Sequence, residues 1–105
     1  MTQVDRYQPV NALVEGACLR GEAIHSQLTL GFTFCQVAAQ SIALGHIEHA
    51  HRIVERLWPS AHTIARHLYV PNHVSPSKIP ELRAELERLE GQITEIEERL
   101  LNLER

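Results

Sequence analysis

From residue 79 to residue 103 the chain places apolar residues in an unbroken three-four alternation: Ile79, Leu82, Leu86, Leu89, Ile93, Ile96, Leu100 and Leu103. On an α-helix these eight lie in one straight seam, the a and d positions of a heptad repeat. Pro80 suits a first turn, where its missing amide has no partner to lose, and Glu81 suits the positive end of the helix. Glu95 and Arg99 form a favourable i,i+4 pair. Isolated helices are marginal in water and gain order by burying an apolar face. This segment therefore needs another helix to cover it, from its own chain or from another copy.

The flanking charges help to choose between partners. In a parallel homodimer Lys78 would face Arg83, Glu85 would face Glu90, Gln92 would face Glu97 and Arg99 would face Glu104. Two repulsions against one attraction disfavour that arrangement by a small margin, since exposed pairs are worth only tenths of a kcal/mol. An antiparallel pairing, or packing on the chain's own helices, is the expectation.

The rest of the chain also reads as helix. Prolines stand at 9, 59, 71, 76 and 80, so residues 10–58 are free of them. Aromatic residues make up 5% of the 105 residues, so a core has to come from Leu, Ile, Val and Ala, which favours packed helices over a β-sandwich. Val10, Leu13, Val14, Ala17, Gly21, Ile24 and Leu28 mark a first apolar face. Leu28 to Phe34 alternates strictly, as a strand would, while Leu28, Gly31, Cys35, Ala38 and Ile42 continue the helical spacing. Helix is the favoured reading, a short strand is the alternative, and Gly31 is a plausible break between two helices. Gly45 is placed to stop a helix. Beyond it Ile47, Ala50, Val54, Leu57, Ala61, Ile64 and Leu68 form another face, with a kink or restart expected at Pro59. Tyr69 to Lys78, rich in Pro, Ser and Asn, reads as a linker.

The expected fold class is all-α: a helical hairpin bundle over 1–70, a linker over 71–78 and a coiled-coil-type helix over 79–105.

Around Gly45 the chain resembles a tetratricopeptide-type hairpin over about residues 31–60. With Ala50 as that motif's second-helix alanine, Phe34 takes the early aromatic position, Val37 and Ala38 the large-then-small pair, and Gly45 the turn glycine. Val54 and Leu57 stand where the motif has an aromatic and an alanine, and Pro59 comes three residues early. The resemblance implies a helix-turn-helix with a peptide-binding face. One such repeat cannot cover its own faces, so other helices or a second subunit must.

Chemistry is harder to place. Seven histidines occur, four of them at 46, 49, 51 and 62. Glu22–His25 and Glu48–His51 are Glu-x-x-His pairs, and two such helices can hold a metal inside a bundle if further carboxylates, such as Glu15, join them. Each of the four residues, however, sits one position beside its apolar seam, where side chains are ordinarily solvated. Cys18 and Cys35 do not make a disulfide framework. Cys35 falls on the apolar stripe, where a thiol is usually inert. Trp58 and Tyr69 are expected to cap the core. No catalytic motif and no glycine-rich phosphate loop occur.

The net charge of -3, with a single lysine, argues against nucleic acid. Residues 1–80 carry six Lys/Arg against five Asp/Glu, and residues 81–105 carry four against eight. No stretch reads as a membrane span or an export signal, so the expected location is cytoplasmic. The functional expectation is a non-enzymatic interaction or oligomerisation module without cofactor, self-associating or binding another helical protein through the eight seam residues. A metal-binding bundle using Glu22, His25, Glu48 and His51 is the alternative.

Overall fold

The computed structural model describes residues 9–70 and 74–104, with side chains described from residue 21 onward. Among the described residues three helices follow one another: α1 (Pro9–Ala43), α2 (Ile47–Tyr69) and α3 (Ile79–Glu104). No strand occurs among the described residues. The all-α fold class expected from the periodicity is the one observed. Val10, Leu13, Val14, Ala17, Glu15 and Cys18 fall where side chains are not described, and Pro71 and Asn72 of the linker lie outside the described residues.

Helix α1 ends as the position of Gly45 predicts. Gly45 adopts a φ of 82°, its amide donates to the Ile42 carbonyl at 3.0 Å, and the His46 amide donates to the Ser41 carbonyl at 2.7 Å. These are the two bonds of a Schellman cap, which satisfies carbonyls that the helix leaves open. The chain then reverses directly into α2.

At two points the helices run through expected interruptions. Helix α1 does not break at Gly31, and residues 28–34 are helical. Gly31 is buried against α3, and a methyl group in place of its hydrogen would stand 2.9 Å from Leu89 Cδ2. The missing side chain thus serves close helix contact rather than a turn. Helix α2 likewise does not restart at Pro59. Pro59 is exposed, and Leu57, Ala61 and Ile64 anchor the opposite face in the core on both sides of it. Thr63 Oγ1 donates to the Pro59 carbonyl at 2.9 Å.

All three helices share one core. From α1 come Ile24, Leu28, Cys35 and Ala38; from α2, Ala50, Val54, Leu57, Ala61, Ile64 and Leu68; from α3, Leu82, Leu86, Leu89, Ile93, Ile96 and Leu100. Helix α2 runs antiparallel to both neighbours, while α1 and α3 run parallel, with His25 beside Glu85, Gly31 beside Leu89 and Phe32 beneath Arg88. The segment before α3 contributes more than a tether: Val74 is buried and approaches Gly21. The bundle is elongated, measuring 62 × 29 × 16 Å.

Candidate interaction surface

The heptad seam is covered from within the chain. Leu82, Leu86, Leu89, Ile93, Ile96 and Leu100 are buried in the shared core, Ile79 packs against its edge, and Leu103 is 55% exposed beyond it. Six of the eight expected interface residues thus face α1 and α2 of their own chain.

Helix α1 carries a second apolar stripe that this packing leaves open. Leu30, Phe34 and Val37 recur at i, i+4 and i+7, roughly a quarter turn around the helix from the core stripe. Leu30 is 54% and Phe34 44% exposed. Together with α2 they border a groove made of two hollows of about 360 and 500 Å³, both lined by Phe34, Leu57 and Ser60. Gly31, Ile64 and Leu89 form the floor of one, and Val37 and Ile53 line the other. The α2 edge of the second hollow carries His49, Arg52 and Arg56, while no residue lining either hollow is acidic. The groove is therefore apolar along α1, neutral along α2 at the first hollow and cationic at the second, where Arg52 and Arg56 stand.

The two Glu-x-x-His pairs are not brought together. His25 Nδ1 lies 3.2 Å from Glu85 Oε2, and His51 Nε2 lies 2.6 Å from Glu104 Oε1. Glu85 and Glu104 are 19 positions apart on α3, about 28 Å at 1.5 Å per residue. Glu22 and Glu48 are exposed. Each histidine instead joins its helix to α3, one near either end of the bundle. Among the described residues no group of three or more His, Cys, Asp or Glu is arranged to hold a metal. Glu22 and His25 border an open crevice between α1 and the start of α3, where Lys78 and Glu81 supply both signs of charge.

Cys35 is buried and free, as its place on the apolar stripe predicts. Desolvation pushes its pKa from 9.0 to about 11. A thiol so strongly held in its neutral form is a poor nucleophile. Trp58 packs against the core and stacks on His62 with ring centroids 5.8 Å apart. Tyr69 departs from the expected capping role: it is exposed, and the Arg83 guanidinium lies 5.7 Å from its ring centroid. A tyrosine at the last position of a helix meets solvent on most sides, and the cation covers one ring face.

The tetratricopeptide-like positions fall on both sides of the α1–α2 contact. Ala38 and Ala50 are fully buried between the helices, whereas Phe34 and Val37 border the groove. Comparison with models of known protein families, with curated proteins and with solved structures found no match. No helix among the described residues is long and apolar enough to cross a membrane.

Proposed function

We propose that this chain is a non-enzymatic helical interaction module that receives an apolar segment of another protein in the α1–α2 groove. The observation that carries this reading is the pair Leu30 and Phe34, exposed beside half-buried Val37 and outside the core that the three helices share. Exposed apolar residues grouped along one groove and rimmed by polar ones mark interaction sites more often than scattered ones do. A groove between two helices suits the helix-in-groove mode of recognition, in which anchors at i, i+3, i+4 and i+7 enter an apolar channel. The tetratricopeptide-like spacing of Phe34, Val37, Ala38, Gly45 and Ala50 agrees with a peptide-binding face on this hairpin. Support for a non-enzymatic role comes from the inert Cys35 thiol and from the separation of His25 from His51. The setting we propose is the cytoplasm, where the unpaired Cys35 thiol persists.

The eight-residue seam has a different part in this reading. It fastens α3 to the hairpin and so holds the groove rigid, and any self-association uses surface outside it.

A photo-crosslinking amino acid placed at Leu30 tests the proposal in cells, with Glu98 on the exposed side of α3 as the control position. A discrete adduct from position 30 is expected, absent from position 98 and abolished by Phe34→Glu. The captured protein should then bind the purified chain directly, with the same dependence on Phe34. Equal adducts from both positions, or direct binding indifferent to Phe34→Glu, would refute the assignment of the groove.

A further inference from the structure

The charge pattern of the groove narrows its occupant, and this step rests on the interaction reading above. We infer that the groove takes an acidic amphipathic helix supplied by a different protein. His49, Arg52 and Arg56 follow one another at i, i+3 and i+7 along the α2 edge. Among the described residues neither Arg52 nor Arg56 forms an ion pair. Across the groove the α1 residues Gln27, Leu30, Phe34 and Val37 are uncharged. A complementary helix has an apolar stripe facing down, carboxylates along the flank that meets α2 and neutral residues along the flank that meets α1. From Leu30 to Val37 the α1 stripe advances seven residue steps, about 10 Å, enough to seat two turns of a helix.

Charge also separates this occupant from a second copy of the chain. A two-fold dimer places one patch against the same patch on its partner. Here that would bring the cationic edges of two copies to one interface, and no residue lining the groove is acidic. The acidic residues of the chain are concentrated on α3, which carries eight Glu against three Arg. Docking the α3 of one copy into the groove of the next would be head-to-tail and would extend into open chains unless the ring closed. A separate acidic helix satisfies Arg52 and Arg56 without either consequence.

The test uses the full chain and three fluorescein-labelled, stapled helical peptides of about 18 residues. All share one leucine stripe and differ only in carrying Glu, Gln or Lys along one flank. Fluorescence anisotropy is expected to rank them Glu, then Gln, then Lys, with about tenfold or more between the extremes, a gap that shrinks as salt screens the charges. Phe34→Glu should abolish binding of all three, and Arg52→Glu combined with Arg56→Glu should reverse the ranking. All three positions are exposed, and unchanged circular dichroism confirms that each variant folds. If the Lys peptide binds as well as the Glu peptide, or the double charge reversal leaves the ranking intact, the acidic assignment is overturned. The interaction reading then survives only where Phe34→Glu still removes binding. If no peptide binds in a Phe34-dependent way, both fail. A solution mass that grows with concentration and returns to monomer in Phe34→Glu makes a second copy the occupant and also overturns the inference.

Discussion

Replacing Gly31 by alanine sets two effects of known sign against each other. In the interior of a helix, alanine is favoured over glycine by about 1 kcal/mol. At Gly31 the added methyl would stand 2.9 Å from Leu89 Cδ2, 3.2 Å from Cδ1 and 3.6 Å from Cγ. The first distance is shorter than a carbon pair tolerates, so Leu89 must move. Leu89 is 1% exposed and lies in the core beside fully buried Ile93, which leaves it little room on the inner side. Overpacking of this kind costs about 1–3 kcal/mol. The net expectation for Gly31→Ala is a loss of about 0–2 kcal/mol. Gly91 in α3 supplies the control, because nothing lies within 4 Å of a methyl placed there. Gly91→Ala should therefore stabilise by about 0.5–1 kcal/mol, a rise of several degrees in melting temperature for a domain of this size. Urea denaturation followed by circular dichroism measures both. A cycle with Leu89→Ala isolates the contact: that change alone should cost about 2–5 kcal/mol, and in its presence Gly31→Ala should recover the helix-propensity gain. If Gly31→Ala stabilises as much as Gly91→Ala, or the cycle is additive to within about 0.5 kcal/mol, the close approach of α1 to α3 is not what Gly31 provides.

Three further outcomes follow from particular positions. Gly45→Ala should destabilise by about 1 kcal/mol because of the positive φ, whereas Gly45→Asn should lose less, and thermal melting separates the two. Leu89→Asp and Leu103→Asp alter the same heptad seam but differ in burial, 1% against 55% exposed; the first should unfold the chain and the second should stay within about 0.5 kcal/mol of the parent by circular dichroism. In a Cys18→Ser background the Cys35 thiol should resist Ellman's reagent below pH 9.0 until denaturant is added, and reaction of the native protein at the rate of a free thiol would contradict its burial. Because the folded pKa lies above the unfolded one, this thiol's contribution to stability is complete below pH 9.0 and is lost as pH rises through about 11.

Much of the architecture is legible in the chain itself. The three-four repeat from Ala50 to Leu68 names its buried residues, and the heptad of α3 does so between Leu82 and Leu100, while Ile79 and Leu103 at its ends lie at or beyond the edge of the core. Helix α1 is less transparent for a physical reason. Leu28 and Phe32 pack into or against the core, while Leu30 and Phe34 border the outer groove, so a helix with two apolar faces presents the alternation of a strand. The i, i+4, i+7 spacing of Leu30, Phe34 and Val37 is the signal that separates the two cases, since a strand would not extend it to Val37. Gly31 reads as a breaker because local propensity contains no term for Leu89, 58 residues away. Val74 is hidden among linker residues for the same reason: it is buried beside Gly21 of α1, far away in sequence. Periodicity reports that a face is covered without naming what covers it, so the choice between another copy and the chain's own hairpin waits for the fold. The cationic edge is an i,i+4 pair on α2, Arg52 and Arg56, and only the fold shows that it lies beside the Phe34 and Val37 stripe of α1.

The side on which α3 meets α1 explains why the groove stays open. Helix α3 meets α1 on the side of His25 and Phe32, where Glu85 and Arg88 reach across. The Leu30–Phe34–Val37 stripe lies on the other side of the α1 core stripe, away from those contacts, and the acidic residues of α3 do not line the groove. Had α3 packed across the α1–α2 groove, its carboxylates would have neutralised Arg52 and Arg56 and its seam would have covered Phe34. The observed placement instead completes the core and leaves an apolar strip beside unpaired cations. In water such a strip is unfavourable. An incoming acidic helix would remove the apolar surface from water and supply the missing countercharge in one step. Phe34 would contribute mainly to affinity through buried area, and Arg52 and Arg56 mainly to partner choice and association rate. The Phe34 and arginine variants should accordingly separate in kinetics: Phe34→Ala should raise the dissociation rate with little change in association. Arg52→Gln combined with Arg56→Gln should slow association and flatten its dependence on salt. Equal effects of both variants on both rates would show that apolar and charged groups do not act separately in this groove.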